Sequence, residues 1–202
     1  MLTIEKLLSF DKSDLEEVSK TICTDDLSKL VEWLTEKDDT IRYQSFLMLK
    51  HRSSYFDDVY PFWDTFCKKL KSENSYHRSI GLMLIADNVK WDKDNRIDLI
   101  IDEYLLLVND EKPITVRQCI QSLCSIVPYK NYLHRKIANS IMAINIDNIK
   151  ETMRKLILVD ILAVLTTIRK YQTIDEIENY IVNALSGGLL DKKAKKQIES
   201  MM

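Results

Sequence analysis

Glycine and proline are nearly absent: the 202 residues hold three of each. With glycine confined to positions 81, 187 and 188, the tight turns that sheets and hairpins require lack their usual residues. The same scarcity excludes a glycine-rich phosphate loop, a dinucleotide fingerprint and a G-x-S-x-G nucleophile elbow. The four cysteines, Cys23, Cys67, Cys119 and Cys124, show no C-x-x-C spacing and fall within or beside apolar runs. They read as buried free thiols and not as a disulfide framework. His51, His77 and His134 have no metal-ligand spacing, and each is followed by an arginine whose charge disfavours a bound cation. They read as surface or helix-end residues. No catalytic residue, metal site or cofactor is expected. No run approaches the roughly 20 apolar residues of a membrane span, and the most apolar stretch, 156–165, is interrupted by Asp160. The N-terminal MLTIEKLLSF lacks the apolar core of a signal peptide, so a soluble, cytoplasmic protein is expected.

What is present is helical periodicity. Hydrophobic residues make up 46% and charged residues 30% of the chain, a balance suited to packed helices. Leu27, Leu30, Val31 and Leu34 follow the i, i+3, i+4, i+7 rule of an amphipathic helix. Trp63, Phe66, Cys67 and Leu70 repeat it behind Pro61, which suits a helix's first turn. Ile101, Tyr104, Leu105 and Val108 repeat it again, and Ile137, Ile141 and Ile144 follow. Behind each lies a second apolar run opened by an arginine: Arg42, Arg78, Arg117 and Arg154, spaced by 36, 39 and 37 residues. In the first three units the earlier run begins 15, 15 and 16 residues upstream of its arginine. A period of this size with two helices per unit predicts an all-α solenoid. The expected form is a right-handed superhelical stack of about five antiparallel helix pairs, a single domain over 1–202. Its parts are an N-terminal cap at 1–23, units at 24–60, 61–97, 98–133 and 134–171, and a C-terminal cap at 172–202. Capping boxes are expected at Ser13 with Glu16 and at Thr173 with Glu176. With helix axes 8–10 Å apart, five pairs predict a groove roughly 40–50 Å long, room for a dozen or so extended residues at about 3.3 Å each.

The segment Asn109-Asp110 through Val116-Arg117, an acidic turn followed by a Val-Arg pair opening the second helix, resembles the HEAT-repeat family. Asp38-Asp39 before Ile41-Arg42 matches it well; His77-Arg78 and Met153-Arg154 match in part. The resemblance spans roughly residues 24 to 170 and implies that the arginines form a ladder tying successive units. On that reading Arg42 with Asp39, Arg117 with Asp110 and Glu111, and Arg154 are structural ladder residues. On the other, the second helices line a concave face and Arg42, Arg78, Arg117 and Arg154 offer a positive stripe to an acidic ligand, with Gln121 as a further binding residue. Trp91, in the segment Lys90-Trp91-Asp92, joins them as an interface anchor. The ladder is the preferred role.

Charge is uneven. Residues 1–40 hold 5 basic and 11 acidic side chains, whereas residues 134–202 hold 11 and 8. An acidic start and a basic end would suit head-to-tail contacts; oligomeric state is otherwise open. The expected function is non-catalytic: a scaffold or interaction module that grips a protein or peptide. The alternative is a DNA-alkylation-repeat glycosylase, since those enzymes are also HEAT-like solenoids of comparable length. A net charge of −2 is poor for neutralising a phosphate backbone, and nucleic acid is disfavoured as a partner.

Overall fold

The computed structural model describes residues 1–202 and contains twelve α-helices, short 3₁₀ turns and no strand. The chain divides into two compact units, Met1–Ile100 and Ile101–Met202. The first holds α1 (Ile4–Leu8), α2 (Leu15–Thr21), α3 (Leu27–Trp33), α4 (Asp39–Tyr55), α5 (Trp63–Lys69) and α6 (Ser75–Asn88). The second holds α7 (Ile101–Leu106), α8 (Pro113–Ile126), α9 (His134–Met142), α10 (Glu151–Arg169), α11 (Asp175–Ser186) and α12 (Lys192–Glu199). No helix is long and apolar enough to cross a membrane.

Local chemistry sets the starts of the long helices. The Asp38 carboxylate accepts from the amides of Thr40 and Ile41 at 2.8 and 3.1 Å, satisfying two donors that α4 leaves free. Asn74 accepts from the Tyr76 amide at 2.9 Å and starts α6 in the same way. Pro113 opens α8, where its missing N–H costs nothing. Asp191 caps α12 through the Ala194 amide at 2.8 Å.

In the first unit α4 is the hub, packed against α1, α2, α3 and α6, while α5 lies on α6. Its core includes Leu27, Leu30 and Leu34 of the α3 segment, Met48 and Leu49 of α4, and Trp63 and Phe66 of α5. In the second unit α10 is the hub, against α8, α9, α11 and α12. The apolar run that predicted burial for α10 is explained by this: Ile157, Ile161, Leu162, Val164, Leu165 and Ile168 are all buried. Ala194 and Ile198 are the buried face of α12, leaving its lysines outward.

Gly81 is where α6 approaches α5. A Cβ built there would meet the Phe66 carbonyl oxygen at 2.8 Å and the Lys69 Cβ at 3.0 Å. Helix propensity favours alanine over glycine by about 1 kcal/mol, but overpacking costs about 1–3 kcal/mol, and a backbone oxygen yields only if α5 moves. Gly81→Ala is therefore expected to destabilise by about 1–2 kcal/mol net. A gain in urea midpoint would refute the close approach.

Two expected capping boxes do not form. Helix α2 begins at Leu15 with no side-chain cap bond; Ser13 turns to Asp14 at 3.3 Å, and the Glu16 carboxylate takes the Tyr55 hydroxyl instead. Helix α11 begins at Asp175, and Glu176 faces Arg135 at 3.3 Å. In both places the helix starts one residue later than the box requires, with Asp14 and Ile174 at the N-cap, so the hydroxyl and the glutamate are out of register with the free amides. The helix count is also twelve where about ten were expected.

Candidate functional site

The arginine row divides into two kinds. Three members turn back onto the backbone that precedes their own helix. Arg42, buried, donates through Nη1 to the Glu36 carbonyl at 2.9 Å and pairs through Nη2 with Asp39. Arg78, also buried, donates to the carbonyls of Ser72 at 2.8 Å and Glu73 at 3.0 Å. Arg154 donates from Nε to Ile149 at 2.8 Å and from Nη2 to Asp147 at 2.7 Å. The chain needs such donors there, because helix ends and turns leave carbonyls without partners, and a guanidinium supplies several donors in a rigid fork.

Arg117 is different. Its Nε and Nη2 grip the Asp160 carboxylate at 2.6 and 3.1 Å, and Gln121 donates to the same carboxylate at 2.9 Å. Asp160 is buried, and its hydrogen bond holds the Arg117 guanidinium above its ordinary value. The expected partners, Asp110 and Glu111, are not those of Arg117. Asp110 accepts from the Lys112 amide at 2.8 Å, and Glu111 pairs with Lys112 at 3.5 Å. The reason is geometric: the turn acids lie ahead of Pro113, whereas Arg117 lies one turn inside α8 and reaches across to α10.

Trp91 ends the 3₁₀ turn Val89–Trp91 that follows α6, half-buried, with Nε1 donating to the Ser53 carbonyl at 2.9 Å and Lys90 above its ring at 4.9 Å. Its indole N–H is thus spent on α4. Among the histidines, His134 is fully buried and not a surface residue; its Nε2 lies 2.8 Å from the Val127 carbonyl. No group of three or more His, Cys, Asp or Glu side chains is disposed to hold a metal ion. Burial pushes the thiols of Cys119 and Cys124 up, away from nucleophilic use.

Two charged residues that sequence reasoning did not single out stand out for opposite reasons, one richly bonded and one poorly. Arg52, buried in α4, forks onto Asp58 and also reaches the carbonyls of Ser19 and Lys20 at 3.0 Å each. Asp87 of α6 lies 3.7 Å from Lys50, an ion pair without a hydrogen bond to its buried Oδ2. Burial raises the Asp87 carboxyl above the ordinary carboxylate range, with Lys50 and Lys90 opposing. The folded state therefore keeps this proton at a pH where the unfolded chain has lost it. Stability falls as pH rises from about 4 through the raised value, and the ionised form is a burden at neutral pH. Asp87→Asn is expected to raise the melting temperature at pH 7, with the gain closing as the pH falls below 4. A gain independent of pH would refute the assignment.

No family model and no curated protein matches the chain. Among solved structures, a crystal structure of an engineered protein aligns with a TM-score of 0.51 over 100% of this chain and 95% of that one, at 15% identity. The likeness is one of fold. At that identity it says nothing of the arginine row, which stands on the geometry above.

Proposed function

We propose that the chain is a HEAT-like repeat protein that binds a protein or peptide in the cytosol without catalysing a reaction. The observation that carries this reading is a pair of exposed tyrosines at the start of successive second helices. Tyr43 on α4 is 48% exposed and Tyr76 on α6 is 61% exposed, and α4 packs against α6. Large aromatic side chains left in water near the starts of neighbouring helices are what an interface uses as anchors. Arg42, next to Tyr43 in the chain, has its guanidinium 5.3 Å from the Tyr76 ring. The pairing of α3 with α4 and α5 with α6, and the contacts of α4 with α6 and of α8 with α10, favour second helices as the inner layer of a stack. In that layer Arg42, Arg78 and Arg154 brace the corners of their own hairpins, Arg117 ties α8 to α10, and Gln121 and the tyrosines offer the contact surface.

The test is capture of partners from native lysate by the wild type and by the double variant Tyr43→Ala, Tyr76→Ala. Loss of a specific partner at unchanged melting temperature is the expected result. Base excision from alkylated duplex DNA by the purified protein would overturn the reading in favour of the glycosylase.

A further inference from the structure

Helix α12 lies against α10 through Ala194 and Ile198, and four of its eight residues are lysines: Lys192, Lys193, Lys195 and Lys196. None of them forms an ion pair. The neighbouring Asp191 is taken by Lys155 at 2.9 Å and by the Ala194 amide at 2.8 Å. Lys192, Lys193 and Lys196 are exposed and, three and four residues apart, share one face. Local electrostatics oppose this arrangement twice. Like charges at i, i+4 repel, and the first turn carries two lysines and no acid, where the helix dipole favours negative charge. A sequence that breaks local rules in this way points to a use for the surface.

The turn between α1 and α2 has the opposite character. Asp11, Asp14, Glu16 and Glu17 are all exposed there. Lys12, the one cation among them, is drawn over the Tyr43 ring at 5.1 Å, and Lys20 pairs with Glu17 at 2.6 Å. Asp11 and Asp14 meet no cation. Each surface also leaves an apolar side chain in water at its edge: Leu189 and Met202 on either side of α12, and Leu8 at the end of α1.

We propose that the lysine face of α12 docks on the acidic α1–α2 turn of a second copy of this chain. The two surfaces are complementary in charge and each has an apolar edge, the pattern that steers partners and fixes register. Because the contact joins two different surfaces, it leaves one of each kind free on a pair of molecules, and further copies can add. Exposed ion pairs contribute at most about 1 kcal/mol each, so the association is weak and sensitive to salt.

The experiment is sedimentation equilibrium of the full chain over a range of concentrations. The expected result is a mass that climbs with concentration in about 0.01 M salt and returns to the monomer in about 0.5 M salt. Lys192→Glu with Lys193→Glu and Lys196→Glu should weaken self-association about tenfold or more, and so should Asp11→Lys with Asp14→Lys. An equimolar mixture of the two variants should associate again, since the reversed helix fits the reversed turn; a mere folding defect would not be repaired by mixing. A monomer at every concentration and salt, or self-association undiminished in either variant, would overturn the proposal. So would binding of a monomeric wild type to phosphatidylserine vesicles, which would give the lysine face to a lipid surface. No other protein takes part, so the outcome is independent of the lysate capture.

Discussion

Arg52→Ala is expected to be the most damaging truncation of a charged side chain in the molecule, at about 3–5 kcal/mol. The Arg52 side chain is 7% exposed and its partner Asp58 19%, so water cannot take over the lost bonds. Removing the guanidinium strands the Asp58 carboxylate, which takes Nε at 3.1 and 3.2 Å and Nη2 at 2.6 Å. It also frees the carbonyls of Ser19 and Lys20 in the last turn of α2, where no intrahelical donor exists. The Phe56 ring, 3.9 Å from the guanidinium carbon, loses its cation as well. Arg52→Lys keeps the charge but cannot reach both a carboxylate and two carbonyls, and should recover a minority of the loss. Urea unfolding should show a lower midpoint at unchanged slope. A loss below about 1 kcal/mol would mean that the network contributes little beyond its own desolvation cost.

Arg117→Ala follows, at about 1.5–3 kcal/mol. The Arg117 side chain is 24% exposed but Asp160 only 8%, so the damage lies mainly in what is left behind: a buried carboxylate held by Gln121 alone. Asp160→Asn offers the complementary change, since an amide keeps an acceptor for Gln121 and carries no stranded charge. It should cost less than Arg117→Ala. If the arginine instead served a ligand and contributed nothing to the fold, both variants would melt at the wild-type temperature. That result would sink the tie between α8 and α10.

The helices themselves were legible because each amphipathic run is long enough to show its period: the segments opening at Leu27, Trp63 and Ile101 became α3, α5 and α7. The arginine row was legible as a row, since its spacing reports the repeat. Its partners were not, because a carbonyl acceptor has no signature in a sequence and every turn carries one. Asp160 gave a signal that went unused. A lone acid inside an otherwise apolar helix must be paired when buried, and the nearest unpaired arginine one hairpin away was Arg117. Arg52 gave none: it sits beside His51 in a polar-looking stretch, and only the docking of α2 on α4 brings its carbonyls within reach. The two capping boxes failed because a helix start is uncertain by a residue in sequence: Asp14 and Ile174, not Ser13 and Thr173, became the N-caps.

The two kinds of arginine act at different moments in the life of the chain. Arg42, Arg78 and Arg154 reach back five to seven residues, so each hairpin can finish its own corner as soon as the second helix starts to wind. Arg52, besides its fork onto Asp58 six residues on, reaches a carbonyl 33 residues away, and Arg117 reaches a carboxylate 43 residues away; those distant bonds must wait for the closure of long loops. Weakening the first kind should slow folding, and weakening the second should chiefly hasten unfolding. Speed of assembly and length of survival are thereby written into separate residues, and either can be altered while the other is left alone.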